Sequence, residues 1–503
     1  MSAQSFWKKT NPSAGFAALL LWLLSFAAER LSIDLSARAE HWGTYLAVKL
    51  LLLLLLFLLC RFLRAAFAGV PALFRKGSLK ERYLASPLEL RALLCAVPVW
   101  AVLSFVWIRR GMHINWEENS ITEAALQFDL MEGVFNFLTP YLHLAVRMLL
   151  PGKYAVVFAK IAVFGTMTGV CIARMGAVFH TPLSALLYLF VFVPPSLSHS
   201  YSIHRCPTYG MIYFWLFIRL FCDHRERRSI GKIELALLLL LFAALTQWRS
   251  EGIYFLFLGP AVLMLAYRIR PAKKRCAGIL ALYLLFQLLI YLPQASLTTA
   301  QSENYSARRS QPFYDYVLTG MLRNGLDREK NAEDLAVCNE FIDISRIDIL
   351  NDHYGDHAYD EGFASYGDTE YYCLIDGTSD EQLLAYEAAM RRIILRNPWV
   401  YIKTQIGGFH HISVHYDSLC LSSVFGYLWV VAAWIGGLWG WALWKKEWCL
   451  FACVSCPLIH ACITTILLPA AYIKYYYPEY MFAAATFVFM LCRFAAARRE
   501  KLR

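Results

Sequence analysis

Tyr45-Leu-Ala-Val-Lys-Leu-Leu-Leu-Leu-Leu-Leu-Leu-Phe-Leu-Leu-Cys-Arg-Phe-Leu-Arg-Ala-Ala-Phe67 is long and apolar enough to cross a bilayer as one helix, which takes about 20 such residues. Runs of the same kind recur to the end of the 503-residue chain. Hydrophobic residues make up 58% of it and charged ones only 17%, with a mean hydropathy of +0.44. A soluble domain is nearer 45–50% apolar and about 25% charged, so the excess must face lipid and a soluble reading is excluded. The run Ala14–Ala28 follows Lys8 and Lys9 and ends on Ala27-Ala28, the outline of a secretory signal. Because Tyr45–Phe67 begins soon afterwards, an uncleaved first span is the simpler reading.

Twelve spans are expected: Ala14–Ala28, Tyr45–Phe67, Leu93–Ile108, Tyr154–Ala173, Leu183–Pro195, Tyr209–Phe221, Ile233–Leu245, Ile253–Tyr267, Ala277–Leu292, Leu421–Trp444, Trp448–Leu468 and Tyr480–Phe494. Short cytoplasmic loops carry the excess of Lys and Arg. Arg75, Lys76, Lys80 and Arg82, then Arg225, Arg227 and Arg228, then Arg268, Arg270, Lys273 and Lys274, then Lys445 and Lys446, fall in alternate loops. With Arg498, Arg499, Lys501 and Arg503 they place both termini in the cytoplasm. The expected class is an all-α polytopic membrane protein with an N-terminal bundle over 1–295, an extracytoplasmic loop subdomain over 296–400 and C-terminal membrane helices over 401–503.

The outer stretch Ser296–Val400 holds nineteen Asp and Glu against nine Lys and Arg. That net −10 leaves +21 for the rest of a chain whose total is +11, the asymmetry of an oriented membrane protein. No nucleic-acid partner is expected. Leu383, Leu384, Tyr386, Ala389, Ile393 and Ile394 predict a helix over Glu381–Leu395, stopped by Pro398, in a small and mostly helical subdomain. Most of the fourteen cysteines sit singly in apolar runs; Cys338 and Cys373 alone lie in the long polar region and would pair only in an oxidising space.

Four stretches carry candidate chemistry. In the loop 109–153, Glu117, Glu118, Glu123 and Asp129 stand near the membrane surface. Carboxylates there would take a proton from a hydroxyl nucleophile, or hold a divalent metal such as Mg or Mn beside a phosphate; the plainer alternative is a solvated acidic helix start. The stretch Val134–Leu150 is amphipathic, interrupted by Pro140, and expected to lie along the outer surface, with His143 and Arg147 four apart on one face suited to an anion. Snorkelling is the alternative for Arg147. Gln247-Trp-Arg-Ser-Glu-Gly places Arg249 and Glu251 at the end of an apolar helix, either as functional charges or as a mutually satisfied pair at a Gly252 turn. Finally, Lys474-Tyr-Tyr-Tyr-Pro sets Lys474, with Tyr475 beside it, at the mouth of the last span, where a lone cation suits an anionic lipid head group. His410, His411 and His415 are weaker metal candidates, and no Walker loop or Gly-rich dinucleotide motif is present.

The order of these features resembles the GT-C superfamily of polytopic membrane glycosyltransferases over most of the chain. Asn115-Trp-Glu-Glu-Asn and Phe137-Leu-Thr-Pro-Tyr-Leu stand where that family has an acidic catalytic loop and interfacial helices. Trp248-Arg-Ser-Glu-Gly, Asn397-Pro-Trp-Val-Tyr and Lys474-Tyr-Tyr-Tyr-Pro match its later elements, with Glu117 or Glu118 in place of Asp and Lys474 in place of Arg. The resemblance implies transfer of a sugar from a polyprenyl-phosphate-linked donor to an outer acceptor, a glycan, lipid or protein. Glu117 or Glu118 would be the base, or a metal ligand with Asp129, and Arg249, Lys474 and Arg147 would bind the lipid phosphate. A transporter or flippase for a lipid or small anion is the competing expectation, and a non-catalytic scaffold a third. Against transport, the candidate charges cluster toward the outer surface rather than the midplane, and no inverted repeat is visible.

Overall fold

The computed structural model describes residues 12–33, 35–112, 114, 116–128, 136–192, 205–270, 272–300, 305–354, 373–415, 428–467 and 473–502. These are helical almost throughout; the sole β-pairing among them is an isolated bridge between Ile342 and Leu374. The longer helices are α1 (Pro12–Ala28), α2 (Trp42–Phe67), α3 (Leu88–Arg109), α4 (Trp116–Leu126), α5 (Leu138–Leu149), α6 (Ala155–Phe179), α7 (Arg205–Arg225), α8 (Lys232–Trp248), α9 (Phe255–Ala266), α10 (Lys273–Ala300), α11 (Tyr305–Arg323), α12 (Ala332–Asn339), α13 (Ile344–Tyr354), α14 (Asp380–Arg396), α15 (Pro398–His415), α16 (Leu428–Trp444), α17 (Trp448–Ile466) and α18 (Tyr477–Leu502).

Seven segments among the described residues are long and apolar enough to cross a membrane: Ser13–Leu31, Trp42–Leu73, Leu88–Arg109, Ala155–Phe179, Lys273–Ala295, Trp448–Ile466 and Lys474–Leu502. Pro182–Val191, Glu251–Ala266 and Leu428–Trp444 are apolar but shorter. Leu280, Leu284, Leu285, Leu288, Leu289 and Leu292 stand exposed on α10, as do Leu19, Leu20, Leu23 and Leu24 on α1. Apolar faces of that extent belong against lipid, and the chain is a helical membrane protein.

Two compact units divide the chain. The first comprises Met1–Gln294, Trp434–Pro457 and Tyr477–Arg503, the second Ala295–Ala433 and Leu458–Tyr476. In the first, α3 packs on α6 at close range. A Cβ on Gly169 would stand 2.1 Å from the Ala92 carbonyl oxygen, so only glycine allows the approach. Trp107 is wedged edge-on against Tyr154 and Phe158, and α7 meets α18 through Phe217 on Phe482 and Phe221 on Phe489.

Buried charge ties this unit together at two places. Lys49 Nζ of α2 lies 2.5 Å from Glu29 Oε2 and donates to Ser25 Oγ at 2.6 Å; the other Glu29 oxygen accepts from Tyr45 OH at 2.6 Å and Arg38 at 3.1 Å. Asp223 at the end of α7 accepts from Arg174 of α6 at 2.9 Å and from Tyr267 OH at 2.7 Å, and pairs with Arg228 at 3.4 Å. Arg228 also bonds Glu234 of α8 at 3.0 Å. The alternation of Lys and Arg in loops accounts for Arg228 only as a topological signal; here it is held in a network with a buried carboxylate.

The second unit has its own core, built from Tyr316, Val317, Leu318 and Met321 of α11, Leu335 and Cys338 of α12, Ile347 of α13, Tyr386, Ala389, Met390 and Ile393 of α14, and Phe409 and Ile412 of α15. The helix expected over Glu381–Leu395 runs Asp380–Arg396, opened by a reciprocal Ser379–Gln382 capping box. Pro398 ends it and also starts α15, as its missing N–H allows at a first helical position. Of the predicted apolar face, Leu383, Tyr386, Ala389 and Ile393 are buried, while Leu384 is exposed. Cys338 and Cys373 are both buried thiols and do not form a disulfide.

Candidate functional site

The polar residues of the first unit gather around α5. Its start is fixed by Asn136, whose Oδ1 accepts from the Leu138 N–H at 3.0 Å, and by Gln294 Oε1, which accepts from the Phe137 N–H at 3.0 Å. Pro140 therefore sits in the first turn, where its ring is tolerated, and opens the helix rather than interrupting it. One face of α5, with Leu144, Ala145 and Met148, packs into an apolar cluster with Val48, Leu52, Ala125, Leu126 and Phe128. The other face carries Thr139, His143 and Arg147 at successive turns, all buried.

Each of these polar residues has a different environment. Thr139 Oγ1 accepts from Trp248 Nε1 at 3.0 Å, joining α5 to the end of α8. His143 Nδ1 meets Thr122 Oγ1 of α4 at 3.1 Å. Arg147 is 7% exposed, and its Nε has no hydrogen-bond partner among the described residues. Burial draws its pKa downward, and the nearby Glu123 carboxylate opposes that shift. The result is a cation taken out of water without an ion pair among the described residues, an arrangement that is costly unless an anion joins it.

Directly after Trp248, the chain leaves helix at Arg249 in an extended conformation and enters a 3-10 turn, Ser250–Tyr254. Arg249 makes a forked pair with Glu251, Nε to Oε2 at 3.2 Å and the terminal nitrogen to Oε1 at 2.5 Å, with both side chains largely buried. Gly252 is required here, because a Cβ would fall 2.2 Å from the Leu245 carbonyl oxygen. Three tyrosine hydroxyls follow: Tyr209 to Tyr254 at 3.4 Å and Tyr254 to Tyr213 at 3.5 Å. The charges of Arg249, Glu251 and buried Glu479 all act on Tyr209.

The residues expected from sequence are distributed as follows. Arg147, His143, Arg249 and Glu251 belong to the first unit and are linked through Trp248 and Thr139. Glu117 and Glu118 lie on α4, the helix that supplies Thr122 and Glu123, but their side chains fall outside the described residues, and so does Asp129 altogether. Lys474 and Tyr475 belong to the second unit, in a 3-10 turn with the ammonium 5.6 Å from the Tyr475 ring centre. His411 is buried, whereas His410 is exposed and accepts from Trp429 Nε1 at 3.2 Å; the His415 side chain lies outside the described residues. Among the described residues no three His, Cys, Asp or Glu side chains gather in a metal-binding group. Tyr209, Tyr254 and Glu479 escaped the sequence reading. Glu479 is the one with a visible signal, an acid directly after Lys474-Tyr-Tyr-Tyr-Pro at the start of an apolar helix.

No protein-family model, curated protein or solved structure matches the chain.

Proposed function

We propose that this protein is a polytopic membrane glycosyltransferase of the GT-C type. In this reading it crosses the bilayer about a dozen times, with both termini cytoplasmic and the stretch 296–400 outside. It moves a sugar from a polyprenyl-phosphate-linked donor to an acceptor hydroxyl on the extracytoplasmic face. The observation that carries the reading is Arg147, a buried guanidinium without an ion pair among the described residues, on the α5 face beside His143 and the carboxylate-bearing helix α4. A lipid phosphate is an anion that arrives from the membrane and would complete that charge.

The acceptor oxygen attacks the anomeric carbon as its proton passes to Glu117 or Glu118 on α4. The bond from that carbon to the phosphate oxygen breaks with inversion, and the polyprenyl phosphate leaves with the electron pair. Arg147 balances the charge gained by the departing phosphate. Arg249 is already balanced by Glu251, so its first task is to hold the turn after α8, next to the Trp248–Thr139 contact.

Binding of polyprenyl phosphate to the purified protein in nanodiscs, counted by native mass spectrometry, tests this reading. Arg147→Met should abolish binding while leaving the ligand-free protein as stable as the wild type or more so, since an uncompensated buried charge has been removed. Undiminished binding by Arg147→Met, or binding lost together with the fold, would overturn the assignment.

A further inference from the structure

Helix α15 presents an apolar stripe that the core of its own unit does not use. Leu395, just before the helix, and Trp399 are each 80% exposed, and Ile402 and Ile406 continue the line one and two turns on. The opposite side, with Thr404, Gly408 and Ile412, is buried.

Two sets of contacts fix the level of this helix. Near its start, Tyr401 OH and Gln405 Nε2 both donate to the carbonyl of Ile466, the last residue of α17, the second of these at 3.2 Å. Toward its end, Phe409 packs edge-on against Trp429 at 4.8 Å, and Trp429 donates to His410 at 3.2 Å; Trp429 is the second residue of α16. The step from Tyr401 to His410 is about 13 Å along a helix axis. Helix α15 thus touches the first turn of apolar α16 and the last residue of α17, a helix long enough to span a membrane. Ile466 and Leu467 are exposed beside Tyr401, and Trp429 and Val430 are exposed beside His410, which extends the apolar surface at both ends.

The charges around the stripe also select an occupant. Lys403 is exposed and basic, next to a stretch whose net charge is −10, while Arg391 is paired with Glu387 and both Arg392 and Arg396 with Asp334. An aromatic and aliphatic stripe edged by cations at the level of helix ends fits the boundary between lipid head groups and acyl chains.

We propose that α15 is an in-plane membrane-surface helix: Leu395, Trp399, Ile402 and Ile406 insert into the bilayer surface, and Lys403 engages anionic phospholipid head groups. This contact is independent of glycosyl transfer and stands or falls separately from it.

Nitroxide labels placed singly at Trp399→Cys, Ile402→Cys and Glu381→Cys, in a background without the native cysteines that label, among them Cys462, the exposed thiol among the described residues, test the proposal in nanodiscs of phosphatidylcholine with and without phosphatidylglycerol. Labels at 399 and 402 should be relaxed by oxygen but not by a water-soluble nickel chelate, at a depth of about 5–10 Å below the phosphates. The label at 381 should show the reverse. Lys403→Glu should move the labels outward in discs containing phosphatidylglycerol and leave them in place without it. Nickel access at 399 and 402 equal to that at 381 would overturn the proposal. Shielding from both reagents, which means a protein cover such as a second copy, would overturn it too, and depths that ignore Lys403→Glu would refute the head-group contact.

Discussion

Lys49→Met isolates the buried pair at the top of the first two helices. In the wild type, Lys49 and Glu29 side chains are each 1% exposed, and the ammonium also rests 4.0 Å from the Phe26 ring centre. Methionine fills nearly the same volume, so packing on Phe26 is retained while Glu29 loses its nearest cation. Removing one partner of a buried pair costs about 3–5 kcal/mol. Arg38 still reaches Glu29 at 3.1 Å, and Tyr45 still donates at 2.6 Å, so the lower end of that range, about 3 kcal/mol, is expected. Glu29→Gln in the Lys49→Met background removes the stranded charge and should recover most of the loss. A denaturant or thermal series on the four proteins of this cycle, in one detergent, measures the coupling. Lys49→Met as stable as the wild type, or a double variant no better than the single, would refute the idea that this pair is a desolvated charge balance.

Three further outcomes follow from the same physics. Asp223→Asn removes the carboxylate shared by Arg174 and Arg228, which keep Glu226 and Glu234 as partners, and should destabilise the protein by about 1.5–3 kcal/mol in the same assay. Burial pushes the Cys338 and Cys373 thiols up to about 12, so neither should react with iodoacetamide at neutral pH until the second unit unfolds; rapid alkylation of the folded protein would contradict their placement in that core. Asp343 caps α13 through the Ser345 and Arg346 N–H groups, and the Ser345 hydroxyl bond lowers its pKa. Its contribution is therefore present at neutral pH and lost as pH falls through the depressed pKa, so Asp343→Ala should cost about 1 kcal/mol at neutral pH and progressively less below pH of about 4, read by urea unfolding.

The membrane class, the helix α14 and the Arg249–Glu251 turn were legible in the sequence because each is written locally: an apolar run, a 3.6-residue period with a capping serine, and two charges two residues apart before a glycine. Pro140 was legible as a break but not as a start, since the residues that fix the start of α5 include Gln294, far along the chain. The Glu29–Lys49 pair joins residues of different helices, so no local pattern marks it. Arg147 shows the same limit in reverse. Its type and its spacing from His143 suggested an anion site, but a snorkelling arginine has the same spacing; only burial without an ion pair among the described residues separates the two.

The most direct test of the proposed activity is sugar transfer by the purified protein in proteoliposomes loaded with a radiolabelled polyprenyl-phosphate-linked sugar and a membrane extract as acceptor. The account predicts label on an acceptor that depends on the protein, lost in Arg147→Met and in the combined Glu117→Gln, Glu118→Gln variant, and kept in Lys403→Glu. Label that never leaves the donor while the protein carries polyprenyl phosphate from one leaflet to the other would contradict it and identify a lipid transporter instead.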